Sequence, residues 1–135
     1  MPPVPDTRIA ELIEAAEGVR RVVRLRKDFT AGAVGAALRT AAGKIHTGIC
    51  LDVACGVGFC AEHSAIAEML KHGETQIDSI VAVYSGGVLP PCGRCRELMA
   101  QLSEANTRTA VVLDPDRTVL LEELLPHYWL RSLGG

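Results

Sequence analysis

The chain has 135 residues, 48% of them apolar and only 4% aromatic, which suits one domain with a core of Leu, Val, Ile and Ala and leaves no room for a second. A net charge of −2 and a pI near 6.1 exclude a broad nucleic-acid footprint, since the only run of one sign is the basic stretch Arg20, Arg21, Arg24, Arg26 and Lys27. No apolar run reaches the roughly 18–20 residues of a membrane span, and the first residues lack the basic and apolar regions of a signal peptide. A cytoplasmic protein is expected, and in that compartment five cysteines, an odd number, serve metal binding better than disulfides.

Residues 1–5 are Pro-rich and read as a flexible tail. Asp6 can then cap a helix whose apolar positions Ile9, Leu12, Ile13 and Ala16 follow the i, i+3, i+4, i+7 rule, with Gly18 at its end. Residues 19–29 mix valines with the basic side chains and fit either helix or strand, most simply as a salt-bridged surface. Residues 33–39 and 44–52 are β-prone runs around a short glycine-containing loop, the pattern of a hairpin. A glycine-rich loop, 54–59, leads into a helix over 61–72, where Ala65, Ile66, Met69 and Leu70 share a face and Gly73 is a natural stop.

Residues 79–84 are a buried strand, 85–91 a loop, and Pro91 is suited to starting a helix from Cys92 toward residue 105. Another strand follows over 109–113, then a turn, a short continuation over 118–120 and a last short helix over 121–125. Strands alternating with helices in the second half imply parallel pairing, whereas the first hairpin is antiparallel. The expected architecture is a single three-layer α/β/α domain with a mixed five-stranded sheet.

Chemistry gathers at two helix starts. Cys92 and Cys95 form a C-x-x-C whose spacing lets two thiolates grip one tetrahedral ion, although the same spacing also serves redox pairs. Cys60 opens the other helix and can supply a third sulfur, leaving a fourth metal position open as in a catalytic site. Taken alone, Cys60 reads as a small buried hydrophobe and Glu62 as a solvated first-turn carboxylate. It is C-x-E followed about 30 residues later by P-C-x-x-C, with a strand between, that matches a zinc-deaminase signature.

Residues 34–129 accordingly resemble the cytidine deaminase superfamily, in particular the small tetrameric cytidine deaminases and blasticidin-S deaminase. The resemblance rests on Cys60-Ala61-Glu62 and on Pro91-Cys92-Gly93-Arg94-Cys95-Arg96, with support from Gly43-Lys44-Ile45, Gly48 and Glu123-Leu124-Leu125-Pro126. It implies one zinc ion per chain on Cys60, Cys92 and Cys95, with Glu62 as proton shuttle. Water activated at the zinc would add to the ring carbon bearing an amino group, and ammonia would leave. It further implies a small aminoheterocycle as substrate, no nucleic-acid polymer or membrane as partner, and a homotetramer or dimer.

Relatives acting on cytidine carry Asn and Glu on the second hairpin strand for the ribose hydroxyls, where this chain has Cys50 and Asp52. A site without those partners is expected to discriminate against cytidine. The ring-contacting aromatic expected before Val34 is missing, and the Arg that often follows the family Glu is His63. Ala61, Pro91 and an aromatic lid at Trp129 complete the expected substrate contacts with Cys50 and Asp52. The expected activity is hydrolytic deamination of a cytosine-like base, modified nucleoside or nucleoside antibiotic; the alternative is a non-catalytic zinc module of the same fold.

Overall fold

In the computed structural model, which describes residues 7–134, a twisted mixed sheet is covered by one helix on one face and two on the other. The elements are α1 (Thr7–Val19), β1 (Val23–Arg26), β2 (Phe29–Thr40), β3 (Ile45–Asp52), α2 (Ala61–Lys71), β4 (Ile77–Tyr84), β5 (Gly87–Val88), α3 (Gly93–Leu102), β6 (Ala110–Asp114) and β7 (Arg117–Leu120). Short 3₁₀ turns, Glu104–Arg108, Leu121–Leu124 and Trp129–Leu133, join or follow them. The cap expected at Asp6 and the tail over 1–5 lie outside the described residues.

Strand periodicity sorts the core into two layers, because successive side chains on a strand point to opposite faces. Ala36 and Leu38 of β2, Ile80 and Ala82 of β4 and Val111 of β6 pack with Ala61, Ala65, Ile66 and Met69 of α2 and Met99 of α3. Their neighbours Ala37, Val81, Val83 and Val112 pack with Leu12 and Ala16 of α1 on the other face. The three-layer reading of the sequence is the observed one.

The five expected strands are present as β2, β3, β4, β6 and β7, and two short ones join them. β1, within the stretch that fitted either helix or strand, is fully exposed and pairs with the start of β2 (Val23 opposite Ala31). β5 folds back on β4 inside what read as a plain loop, using Gly87 at a φ of 114° for the tight turn. Pairing of the central strands also differs from a simple parallel run. β3 and β4 lie on either side of β2, both antiparallel to it, so only β4 and β6 pair in parallel (Ser79 with Ala110, Ile80 with Val111).

α3 stops at Leu102, short of the expected 105, because Ser103 swings into extended backbone and its Oγ accepts the Ala105 N–H at 3.3 Å, opening a separate 3₁₀ turn. That turn places the fully buried Asn106. Its Oδ1 accepts from Ile77 N at 2.8 Å and its Nδ2 donates to Thr75 O and Met99 O, both at 2.9 Å, tying the end of α3 to the start of β4.

One register on β3 organises the face that α2 covers. His46, Gly48, Cys50 and Asp52 alternate onto that face; the first three are buried and Asp52 is exposed at the strand's end. Gly48 permits the close approach, since a Cβ there would collide with Ala65 N, Ser64 Cβ and Ala61 O of the helix. β3 therefore meets the first turns of α2 at its Cys50 end.

Candidate metal centre

Two helix starts meet at the C-terminal edge of this face. Cys60 and Cys92 are the N-cap residues of α2 and α3, both in extended backbone (φ −72° and −71°), and Cys95 lies on the first turn of α3. Extended cap geometry turns each cap side chain back across the helix end, so residues two or three apart converge instead of diverging. Sγ of Cys60 is 3.4 Å from Sγ of Cys92, which is 3.5 Å from Sγ of Cys95, and all three lie within 4.8 Å of one another. No cysteine is in a disulfide among the described residues.

The donor set fits zinc. Bonds of about 2.3 Å to sulfur place tetrahedral thiolates about 3.8 Å apart, close to the spacing seen, and only three sulfurs contribute. The helix ends also lower the cost of collecting negative charge. At Cys92 burial raises the thiol pKa, but N–H groups of Cys95 and Arg94 and the neighbouring thiols outweigh it, holding it below the ordinary value. Cys95, fully buried, is pushed upward by burial first and by Glu62 next, so its thiolate depends on a cation.

Glu62 is 5% exposed, which removes its reading as a solvated first-turn carboxylate. Burial pushes its pKa above the usual carboxylate range. It lines the same cleft as Cys60 and Cys92. His63, in the position of the family arginine, places Nδ1 3.4 Å from Sγ of Cys95. Burial, with the charge of Arg94 next, holds it below its ordinary pKa, which favours the neutral ring.

The cleft has a volume of ≈ 520 Å³, enough for a nucleoside-sized molecule. Val34, Phe59, Leu89 and Pro90 form apolar walls, Glu62 and the cysteines one end, and Cys50 and Asp52 a polar stretch of β3. Cys50 Sγ accepts from Val34 N at 3.3 Å and donates to Asp52 Oδ2 at 3.3 Å, and Thr30 Oγ1 donates to the same oxygen at 3.5 Å. Ala61 lines the cleft as expected, whereas Pro91 is buried behind it and its carbonyl accepts from Arg96 Nε at 2.8 Å.

Trp129, the expected lid, is not on the cleft. Its Nε1 donates to Glu97 Oε1 at 2.9 Å while Tyr128 OH donates to Glu97 Oε2 at 3.1 Å, so the pair docks the C-terminal segment on α3. Cys55 sits exposed in a turn at a φ of 61° and is not one of the clustered sulfurs. Among the cleft residues that the sequence reading did not assign to the site are Phe59 and Arg94. Phe59 reaches the wall because its backbone pairs with Leu51 (3.0 and 3.1 Å), folding the glycine loop onto β3, and its only sequence signal is an aromatic beside Cys60. Arg94 is signalled by its place between the two cysteines.

Residues 10–112 match the family model described as the cytidine and deoxycytidylate deaminase zinc-binding region. Among curated proteins, blasticidin-S deaminase of Bacillus cereus is 33% identical, the alignment covering 90% of this chain and 92% of that one. Cytidine deaminase of Halalkalibacterium halodurans is 32% identical over 87% and 88% of the two chains. The crystal structure of cytidine deaminase from Burkholderia pseudomallei superposes with a TM-score of 0.72 at 32% identity, covering 89% of this chain and 98% of that one. For the enzyme from Mycobacterium tuberculosis the TM-score is 0.68 at 28% identity, with 90% and 93% covered.

Proposed function

Because the chain belongs to the cytidine and deoxycytidylate deaminase family, whose members are zinc-dependent hydrolytic deaminases, we propose that it acts on a cytosine-like ring carrying a polar substituent other than an unmodified ribose. The observation that carries this reading is the cleft's division of labour: its lining brings together Cys60, Cys92 and the buried Glu62, with Cys95 behind them, and also the Cys50–Asp52 pair.

Cys60, Cys92 and Cys95 would hold the zinc ion, which would supply the Lewis acidity that makes a water nucleophilic at neutral pH. The remaining work falls to side chains. Val34, Phe59 and Leu89 give a planar ring apolar surface on which to lie. Glu62, shielded from bulk solvent, takes one proton from the attacking water and gives it to the ring nitrogen, then takes the second from the hydroxyl added to the ring carbon and gives it to the departing amine. A carbon–oxygen bond forms, the exocyclic carbon–nitrogen bond breaks, and ammonia leaves.

Asp52 sets the substrate class. One of its carboxylate oxygens is held by Cys50 and Thr30, and the side chain lines the cleft as an acceptor for a hydroxyl or ammonium group. Cys50, whose one S–H is donated to Asp52, stands where cytidine-acting relatives are expected to carry an amide. Modified nucleosides and nucleoside antibiotics of the aminopyrimidine class meet that description. Exposed apolar side chains at Val22, Leu25 and Val57 support assembly, with a homotetramer as the family expectation.

The test is ammonia release from a panel of cytosine, cytidine, deoxycytidine and blasticidin-type aminopyrimidines. Turnover is expected with the substituted members, falling about 10²–10⁴-fold in Glu62→Gln while zinc is retained. Equal turnover in that variant would remove Glu62 from the proton path, and a preference for cytidine would overturn the substrate class.

A further inference from the structure

At the opposite end of α2 from the cysteines lies a second cluster of metal-type ligands that the deamination chemistry does not use. His46, on the same β3 face as Cys50 but four residues earlier, meets Glu68 and His72 from the last turns of the helix. One donor atom from each of the three lies within 4.8 Å of the other two. Glu74, just past the helix, brings its Oε2 to 3.8 Å from His46 Nε2.

Two features set this apart from a chance gathering of surface groups. His46 is 9% exposed, yet among the described residues its Nε2 has no hydrogen-bond partner, and neither has the buried Glu74 Oε2 facing it. A buried polar atom without a partner is costly, and the 3.8 Å between these two is too long for a hydrogen bond. It is close to the roughly 3.4 Å that separates two donors on one tetrahedral ion with bonds of about 2.0–2.2 Å. The other feature is His72, whose Nδ1 lies 2.9 Å from the carbonyl oxygen of Glu68. Donation to that carbonyl fixes the proton on Nδ1 and leaves Nε2 with its lone pair, the arrangement that orients metal-binding imidazoles.

We infer that His46, Glu68 and His72 form a second site for a divalent transition metal, zinc being the ion their two imidazoles and carboxylate suit, with Glu74 reaching it from the His46 side. The ion neutralises the carboxylates and gives His46 Nε2 and Glu74 Oε2 the partner they lack. It also sits at the C-terminal end of α2, where the helix dipole favours positive charge. Lys71 Nζ, now 3.1 Å from Glu68 Oε2, is the cation it displaces, and Lys71, Glu68 and His72 are solvent-facing enough for their side chains to adjust. The site clamps the start of β3 to the end of the helix whose other end carries Cys60 and Glu62.

The test is equilibrium dialysis of the full-length protein, already holding one zinc per chain, against micromolar zinc, with metal counted by mass spectrometry. Wild type is expected to take up a second zinc per chain, and Tm to rise with zinc beyond the first equivalent. His72→Ala and Glu68→Gln alter exposed side chains and are expected to fold, keep the cysteine-bound zinc and lose both the second ion and the Tm rise. Uptake stopping at one zinc in wild type, or a second zinc retained unchanged by both variants, would overturn the site.

Discussion

Glu62 and Asp52 are two carboxylates in one cleft, and their surroundings give them different work. Glu62 is buried beside the sulfurs, and burial raises its pKa, which suits it to the proton transfers proposed for it. Asp52 is exposed at the end of β3 and is held by Thr30 and Cys50, which suits it to binding. Restoring the amide and the longer acid with Cys50→Asn and Asp52→Glu together is expected to raise kcat/KM for cytidine about tenfold or more relative to the preferred substrate. Steady-state kinetics on both compounds measures this, and an unchanged ratio would show that β3 does not set specificity. At this scale the metal ligands were legible in the sequence, because short spacings at a helix start determine geometry almost by themselves. Trp129 was not, since its position depends on Glu97, thirty-two residues away in the chain.

The element on which the centre depends is α2, and Gly48 determines how closely it lies on β3. A methyl group at Gly48 meets helix backbone on one side, so neither partner can yield without moving the helix that carries Cys60 and Glu62. Gly48→Ala is expected to cost about 1–3 kcal/mol of stability and to lower activity more than stability alone explains. Urea unfolding and kinetics on the same preparation check this; wild-type values in both would mean the contact has slack. Helices and the strands β2, β3, β4 and β6 could be read from their apolar patterns, since each has buried residues, whereas β7 has none and was legible only as a continuation after the turn. β1 and β5 could not, because the alternation of β1 spans four residues and buries no face, and β5 is two residues long.

For the whole molecule, the sequence implied two layers of helix about a mixed sheet, but not that β2 would lie between β3 and β4. That insertion is a long-range pairing between strands some forty residues apart, invisible to any local pattern. It keeps β2 central and brings β3 to the side where α2 can carry its cysteine to α3. Apolar side chains left outward at Val22, Leu25 and Val57 are expected to be covered in a homotetramer, which sedimentation velocity would show as one species of four chains. A single monomeric boundary at micromolar concentration would contradict it.

The most direct test of an open three-sulfur metal centre is X-ray absorption at the zinc edge on protein loaded with one zinc per chain. The arrangement of Cys60, Cys92 and Cys95 predicts three sulfur scatterers at about 2.3 Å and one oxygen at about 2.0 Å. A shell of four protein ligands, or one with no sulfur in it, would contradict the account.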